Sequence, residues 1–306
     1  MTEEKTTEKT KKHATSEPAA PLASHVICHG RISRTRATSY EWGSVRTLMS
    51  DYGAHKATAL NITFKKTEQV PYSSWAGSNE SICVVESGSG DLLTGGTSIP
   101  LKRGMAFCVP LNKDVQKNLS IKSSEEENLV LTSLQLPCES TSREPSDAKV
   151  QIVDPSKTAW KIFEYEALGK EVLITPSRRM GVLQLAFPIE QIPLHIHPQS
   201  DRFIRTIAGQ GFVYVDPFKY DLGADDAYIA FPKGQIHTNG PRPGNWWQIW
   251  SFHYPWVDPQ VDEENVGGSE AYAKYLNAPP KALWKSKEEL VFNLPDCLRT
   301  TRAAIS

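Results

Sequence analysis

The 306-residue sequence predicts an all-β fold built twice, two tandem barrels or sandwiches with a short helical appendage at the C-terminus. Three observations carry that prediction. The frame QVPYSSWAGSNES around Pro71 returns 122 residues later as QIPLHIHPQSDRF around Pro193. Each proline is followed 39 residues on by another, Pro110 in GMAFCVPLNKDV and Pro232 in DAYIAFPKGQIH. Two copies with equal internal spacing indicate a duplicated unit. Between these landmarks lie short runs rich in β-branched residues and broken by turn formers, the pattern of sheets rather than of βαβ units.

Taken in order, residues 1–38 begin with MTEEKTTEKTKKHATSEPAAP, a Thr/Lys/Glu/Pro-rich stretch that reads as a solvated, disordered tail. It has no apolar core segment and so does not read as a secretory signal. Residues 39–137 form the first barrel, with ATALNITF, ESICVVES, GMAFCVP and NLVLTSLQL as its strands. Residues 138–150, CESTSREPSDAK and its flank, read as a linker. Residues 151–256 repeat the plan: GVLQLAF answers ATALNITF, RFIRTIAGQGFVYV answers ESICVVESGSGDLL, and GNWWQIWSFHYP answers ENLVLTSLQLP. Residues 257–306 are the appendage. SEAYAKYLNA and SKEELVFNL there look helical, each with a serine at its N-cap, and pack on the barrels or across a dimer contact.

With 39% hydrophobic residues the chain can build real cores, and a formal charge of −1 gives no general attraction to nucleic acid or to anionic membrane. No apolar stretch approaches the ~18 residues of a membrane helix. The five cysteines are dispersed without a CxxC pair, which fits a reducing compartment. A cytoplasmic protein with a small-molecule substrate, assembled as a homodimer, is the expectation.

The chemistry is confined to one copy. The second half carries His195, His197 and His237, where the first half has Ser73, Trp75 and Val115. Histidines at i and i+2 on an extended segment share a face. A third, 40 residues after His197, joins them if the fold returns a strand to that spot, as a barrel does. Three neutral imidazoles suit one divalent ion and leave open positions for water, oxygen or substrate.

These residues resemble the cupin superfamily, and the repeat makes residues 40–256 similar to a bicupin. His195-Ile-His197-Pro-Gln-Ser-Asp201-Arg202 with Gly209 and Gly211 matches the first cupin motif, and Pro232-Lys-Gly234-Gln-Ile-His237 matches the second. Asp226 and Pro241 replace the outer glycine and asparagine of that second motif. The resemblance implies two double-stranded β-helix (jelly-roll) barrels, the first degenerate and the second holding a metal. It also implies a metal-dependent enzyme, with an Fe(II) dioxygenase favoured. Zn, Ni or Mn supporting isomerase or lyase chemistry, and a non-enzymatic binding barrel, are the alternatives.

The family's acidic ligand falls on Arg202, which has no lone pair to offer a metal. Asp201 would serve under a spacing one residue shorter, although such a slip reverses its face. The metal candidates are therefore His195, His197 and His237, with Asp201 as a possible fourth. Arg202 either makes a salt bridge with Asp201 or Asp216 at the barrel mouth or grips a substrate carboxylate with its planar fork. Some three-histidine cupin dioxygenases orient anionic substrates with an arginine. Arg205, an odd number of residues away, should face outward. Gln248 and Tyr214 are the candidate polar groups of the pocket. Trp246, Trp250, Phe252, Tyr254 and Trp256 share one strand phase and form either an aromatic core or the pocket wall. His253, on the other phase, is expected at a surface or interface. Glu80 has no histidine nearby, so the first barrel is expected to be structural or to form a dimer contact.

Overall fold

A computed structural model of the chain describes residues 27–138, 147–162, 168–187, 192, 194–215, 218–223 and 226–265. Each half forms two antiparallel sheets that enclose a core. In the first half a seven-stranded sheet runs Gln151–Val153, Ala106–Val109, Glu80–Ser87, Leu129–Leu136, Ala57–Phe64, Gly43–Tyr52, Ala37–Tyr40. It faces a four-stranded sheet ordered Gln69–Pro71, Leu119–Ser123, Ser89–Thr94, Thr97–Lys102. The second half repeats this order. Its large sheet is Cys28–Arg31, Ala227–Phe231, Asp201–Gly209, Trp247–Tyr254, Gly181–Phe187, Leu168–Ile174, Lys161–Ile162. Its smaller sheet is Phe218–Leu222, Gly211–Val215, His237–Pro241, His195–Ile196, Glu264–Asn265.

The two barrels exchange their edge strands. Cys28–Arg31, which precedes the first barrel, pairs with Ala227–Ala230 of the second. Gln151–Val153, which precedes the second, pairs with Ala106–Cys108 of the first. Exposed edges invite unwanted pairing, and the exchange covers both. Cys28–Arg31 and the start of Ala37–Tyr40 are thus strands within the segment expected as a tail through residue 38. Residues 151–153, expected to open the second barrel, complete the first. The helices expected at Ser269–Ala278 and Ser286–Leu294, and most of the linker, lie outside the described residues.

Three apolar clusters organise the molecule. One fills the first barrel with Phe64, Tyr72, Trp75 and Phe107 among its members. A second fills the upper half of the other barrel with Phe187, Ile204, Phe231 and Trp247. The third spans the boundary, joining Leu48, Ile82 and Leu134 of the first barrel to Phe203, Trp250, Phe252 and Tyr254 of the second. Fully burying one such side chain contributes roughly 1.5–3 kcal/mol, so the barrels are docked by a genuine shared core. The aromatic phase of NWWQIWSFHYPW therefore meets the other barrel and not the pocket.

One buried carboxylate per barrel locks this boundary. Glu80 accepts the Ser177 hydroxyl proton at 2.6 Å and lies 3.8 Å from the Arg179 guanidinium, both on the turn between Leu168–Ile174 and Gly181–Phe187. Asp201 lies against the equivalent turn of the first barrel. A Cβ at Gly53 there would stand 2.4 Å from Asp201 Oδ2, and Gly53 has φ +66. Asp201 Oδ1 also accepts the Lys233 N–H at 2.9 Å. Burial raises the pKa of both carboxyls above the ordinary carboxylate range. Strand register makes the correspondence plain: Ser81 pairs with Val109 as Arg202 pairs with Phe231, one residue before each second proline. Glu80 is thus the counterpart of Asp201, and the serine beside it that of Arg202.

Candidate metal centre

The site is built by strand return. His195 lies directly across from His237 on the neighbouring strand, and His197 follows two residues later at the start of a tight turn. All three are buried, and one ligand nitrogen of each lies within 4.8 Å of the others. Ring centroids are 4.1 Å apart for His195 and His237, 5.1 Å for His195 and His197, and 5.3 Å for His197 and His237. Bonds of ~2.0–2.1 Å to a common ion require nitrogens within about 4 Å of one another, so small ring movements suffice.

Burial, then the charge of Arg202 and the neighbouring His195, pushes the His197 pKa far below its ordinary value. Burial, then His195 and His197, does the same to His237. Both imidazoles are neutral at physiological pH and keep the lone pair a metal needs. His237 Nδ1 is 2.9 Å from the Gln235 carbonyl, to which it donates, and this leaves Nε2 to face the cluster.

Asp201 is not part of this set. It lies on the boundary face of its strand, because a residue adjacent to an inward-facing Arg202 must point the other way. Arg202 itself lines the cavity with His195 and His237. Its Nη1 donates to Ser251 Oγ at 3.0 Å and meets His253 Nε2, while Nη2 meets His197 Nε2. Of the two sequence-based expectations for Arg202, the placement inside the pocket is the observed one. Burial lowers its pKa to about 10, with Glu263 and Asp262 pulling the other way, so it remains a cation at neutral pH.

His253, expected at a surface or interface, is fully buried and stands across the strand pair from Arg202. Burial, then Arg202, holds it neutral. Ile249 and Ser251 share its phase and line the cavity. Gln248 is on the opposite phase and does not. Tyr214 is also outside: Val213 and Val215 turn into the barrel core, and Tyr214 meets Phe212 and Lys219 on the other face of that strand. Arg205 does sit on the face opposite Arg202, but the first barrel covers that face. Arg205 is buried there, with Nε 3.2 Å from Glu86 Oε1.

Residues beyond the repeat, which no sequence pattern marks, complete the lining. Pro259–Asp262 forms a helical turn, Glu264–Asn265 adds a strand beside His195–Ile196, and Pro259 and Glu263 line the cavity. The space enclosed is about 50 Å³, bounded by Leu183, Leu185, Phe187 and Ile192 on its apolar side. That is room for a handful of heavy atoms.

In the first barrel the same interior is solid. Trp75 and Tyr72 pack edge-to-face at 4.8 Å, and Tyr72 donates to the Asn79 carbonyl at 2.6 Å. Ser73–Ala76 is a helical turn where His195–Ile196 is a strand.

No protein-family model and no curated protein matches the sequence. Solved structures match the fold. Protein Ylba from E. coli has a TM-score of 0.58 at 12% identity over 78% of this chain and 96% of its own. Oxalate decarboxylase from Lactobacillus farciminis, in a formate complex, has 0.57 at 11% identity over 93% and 98%. Vicilin from hazelnut, Corylus avellana, has 0.55 at 9% identity over 82% and 94%. The neighbours are cupin structures, and the fold of this chain is the two-barrel, bicupin form. An enzyme and a vicilin share it, so the fold leaves function to the site.

Proposed function

We propose, from the bicupin fold and the contents of its second barrel, that this protein is a metal-dependent enzyme. The proposed activity is that of a non-haem Fe(II) dioxygenase acting on a small anionic molecule. One observation carries the reading: three buried histidines, His197 and His237 held neutral, converge beside a buried arginine, and among the described residues no carboxylate belongs to their cluster. The histidines bring no charge to an ion, and around them the Arg202 cation stands against Glu263 in the cavity wall and Asp262 behind His197. The Arg202 fork is the group in the cavity that would take an anionic substrate. Fe(II), when bound by His195, His197 and His237, supplies open coordination positions and one-electron chemistry toward O₂.

The residues of the chain do the rest. Arg202, steadied by Ser251 and His253, offers its planar fork to a carboxylate in the cavity. The apolar wall keeps water from the substrate, and Pro259 and Glu263 complete the lining. A cavity of about 50 Å³ with Arg202 in its wall suits a small carboxylate. Zn, Ni or Mn on the same histidines would support isomerase or lyase chemistry. Cys83 and Cys108, both buried thiols, fit a cytoplasmic setting.

A second reading has its own support. Arg202 touches His197 Nε2, the lone pair a metal would use, and must withdraw along its flexible stem before that nitrogen can ligate. A metal-free pocket binding small anions through Arg202 would leave that contact in place. Oxygen uptake separates the two. Protein reconstituted with Fe(II) and offered a panel of small carboxylates should consume oxygen, and His237→Ala should not. Full turnover in that variant would end the dioxygenase reading, and anion binding unaffected by any metal would favour the second.

A further inference from the structure

We infer that Asp262, in the C-terminal segment, is a positioning residue for the histidine cluster, fixing both the His197 ring and the turn that carries it. The inference rests on the metal-site reading above. The Asp262 carboxylate is fully buried. Its Oδ1 accepts the Gln199 N–H at 2.9 Å and its Oδ2 the Ser200 N–H at 3.1 Å. The same Oδ2 lies 3.6 Å from His197 Nδ1.

The proton on His197 can be placed by elimination. Arginine only donates, so its contact at His197 Nε2 makes that nitrogen an acceptor. The neutral ring then carries its proton on Nδ1, which faces Asp262. His237 donates from Nδ1 to the Gln235 carbonyl at 2.9 Å, whereas His197 Nδ1 makes no hydrogen bond and stands 3.6 Å from the Asp262 carboxylate, a gap that a small rotation of the ring closes. Both rings therefore hold Nε2 free for a ligand position, and exchanging Arg202 for a metal leaves the tautomer of His197 unchanged. An acceptor behind the ring sets its orientation and raises its basicity.

Asp262 also has a charge to neutralise. Two backbone N–H groups satisfy its lone pairs, and the cationic pocket of Arg202 and a bound dication compensates its charge. Its neighbours bind the segment to the site from the other side: Asn265 pairs with His195, and Glu264 with Ile196. The stretch 259–265, outside the barrel repeat, thus stands behind two of the three ligands.

The test uses the full chain labelled with 15N-histidine, read by long-range 1H–15N correlation in chelator and again with one equivalent of Zn²⁺. Zinc affinity is measured in parallel by competition with a chromophoric chelator. His197 should be protonated on Nδ1 in both states. Asp262→Asn should mix the His197 tautomers and weaken zinc about 10- to 100-fold, with the circular dichroism of the metal-free protein unchanged. Unchanged zinc affinity in a folded Asp262→Asn variant overturns the inference. If that variant fails to fold, the wild-type spectrum decides alone, since an Nε2–H tautomer contradicts the assignment. Wild-type protein that binds no zinc but keeps Nδ1–H on His197 refutes the metal site and leaves the positioning role intact.

Discussion

The two barrels have the same strands in the same order and differ in what stands inside them. Where the second has His195, His197 and a cavity, the first has Ser73 on a helical turn and Trp75 packed on Tyr72. Where the second has the polar row Arg202, Ser251 and His253, strand register puts Ser81, Ser133 and Gln135 in the first, a row still polar but without a charge or an imidazole. At the boundary the halves agree again, since Glu80 and Asp201 each receive a turn from the opposite barrel. The frame is thus preserved on the outer face of both barrels, while the inner face has become a solid core in one and a site in the other. A carboxylate in a motif position is, here, part of the frame.

This contrast can be broken most forcefully at the first barrel's plug. Trp75→Ala should cost about 3–5 kcal/mol of stability, measured by denaturant unfolding, and leave metal affinity unchanged. A loss of metal binding beyond that explained by unfolding would show that the barrels are not functionally separate. Acid should sharpen the contrast. His197, His237 and His253 are held neutral with pKa values below their unfolded ones, so the unfolded chain binds protons the native chain does not. Stability of the metal-free protein should therefore fall as pH drops below about 6.5, by up to roughly 1.4 kcal/mol per pH unit for each such histidine. His253→Asn should remove one histidine's share of that slope.

A smaller effect is expected at the boundary carboxylate. Asp201→Asn should change zinc affinity less than about twofold, because the side chain faces the other barrel; a tenfold loss by chelator competition would return Asp201 to the ligand set. The smallest effect is a predicted silence. Placing histidines at Ser73, Trp75 and Val115 together should create no second equivalent of bound zinc, because Ser73–Ala76 is a helical turn and does not present its side chains as a strand does.

Much of the fold was legible in the sequence because the duplication recorded it: equal proline spacing marked the two copies and matched their strand runs one to one. The histidines were legible because strand alternation needs only i and i+2. Failures arose where both faces of a strand are buried. On Trp247–Tyr254 the aromatic phase packs against the first barrel and the sparser phase lines the pocket, so apolar content could not tell them apart and Gln248 was misplaced. Tyr214 failed for the converse reason, since small valines took the interior phase and left the larger ring outside. A one-residue difference between the repeats before Glu80 and Asp201 altered the correspondence, and only strand register reveals it. Asp262 and Glu263 lie beyond the repeat, where no second copy marks them.

The central claim is a single metal site in the second barrel, and metal content tests it most directly. Protein purified without added metal should carry about one iron per chain by plasma mass spectrometry, and His195→Ala should carry none. Metal retained at full stoichiometry in His195→Ala, or absent from both proteins even after reconstitution, would contradict the account.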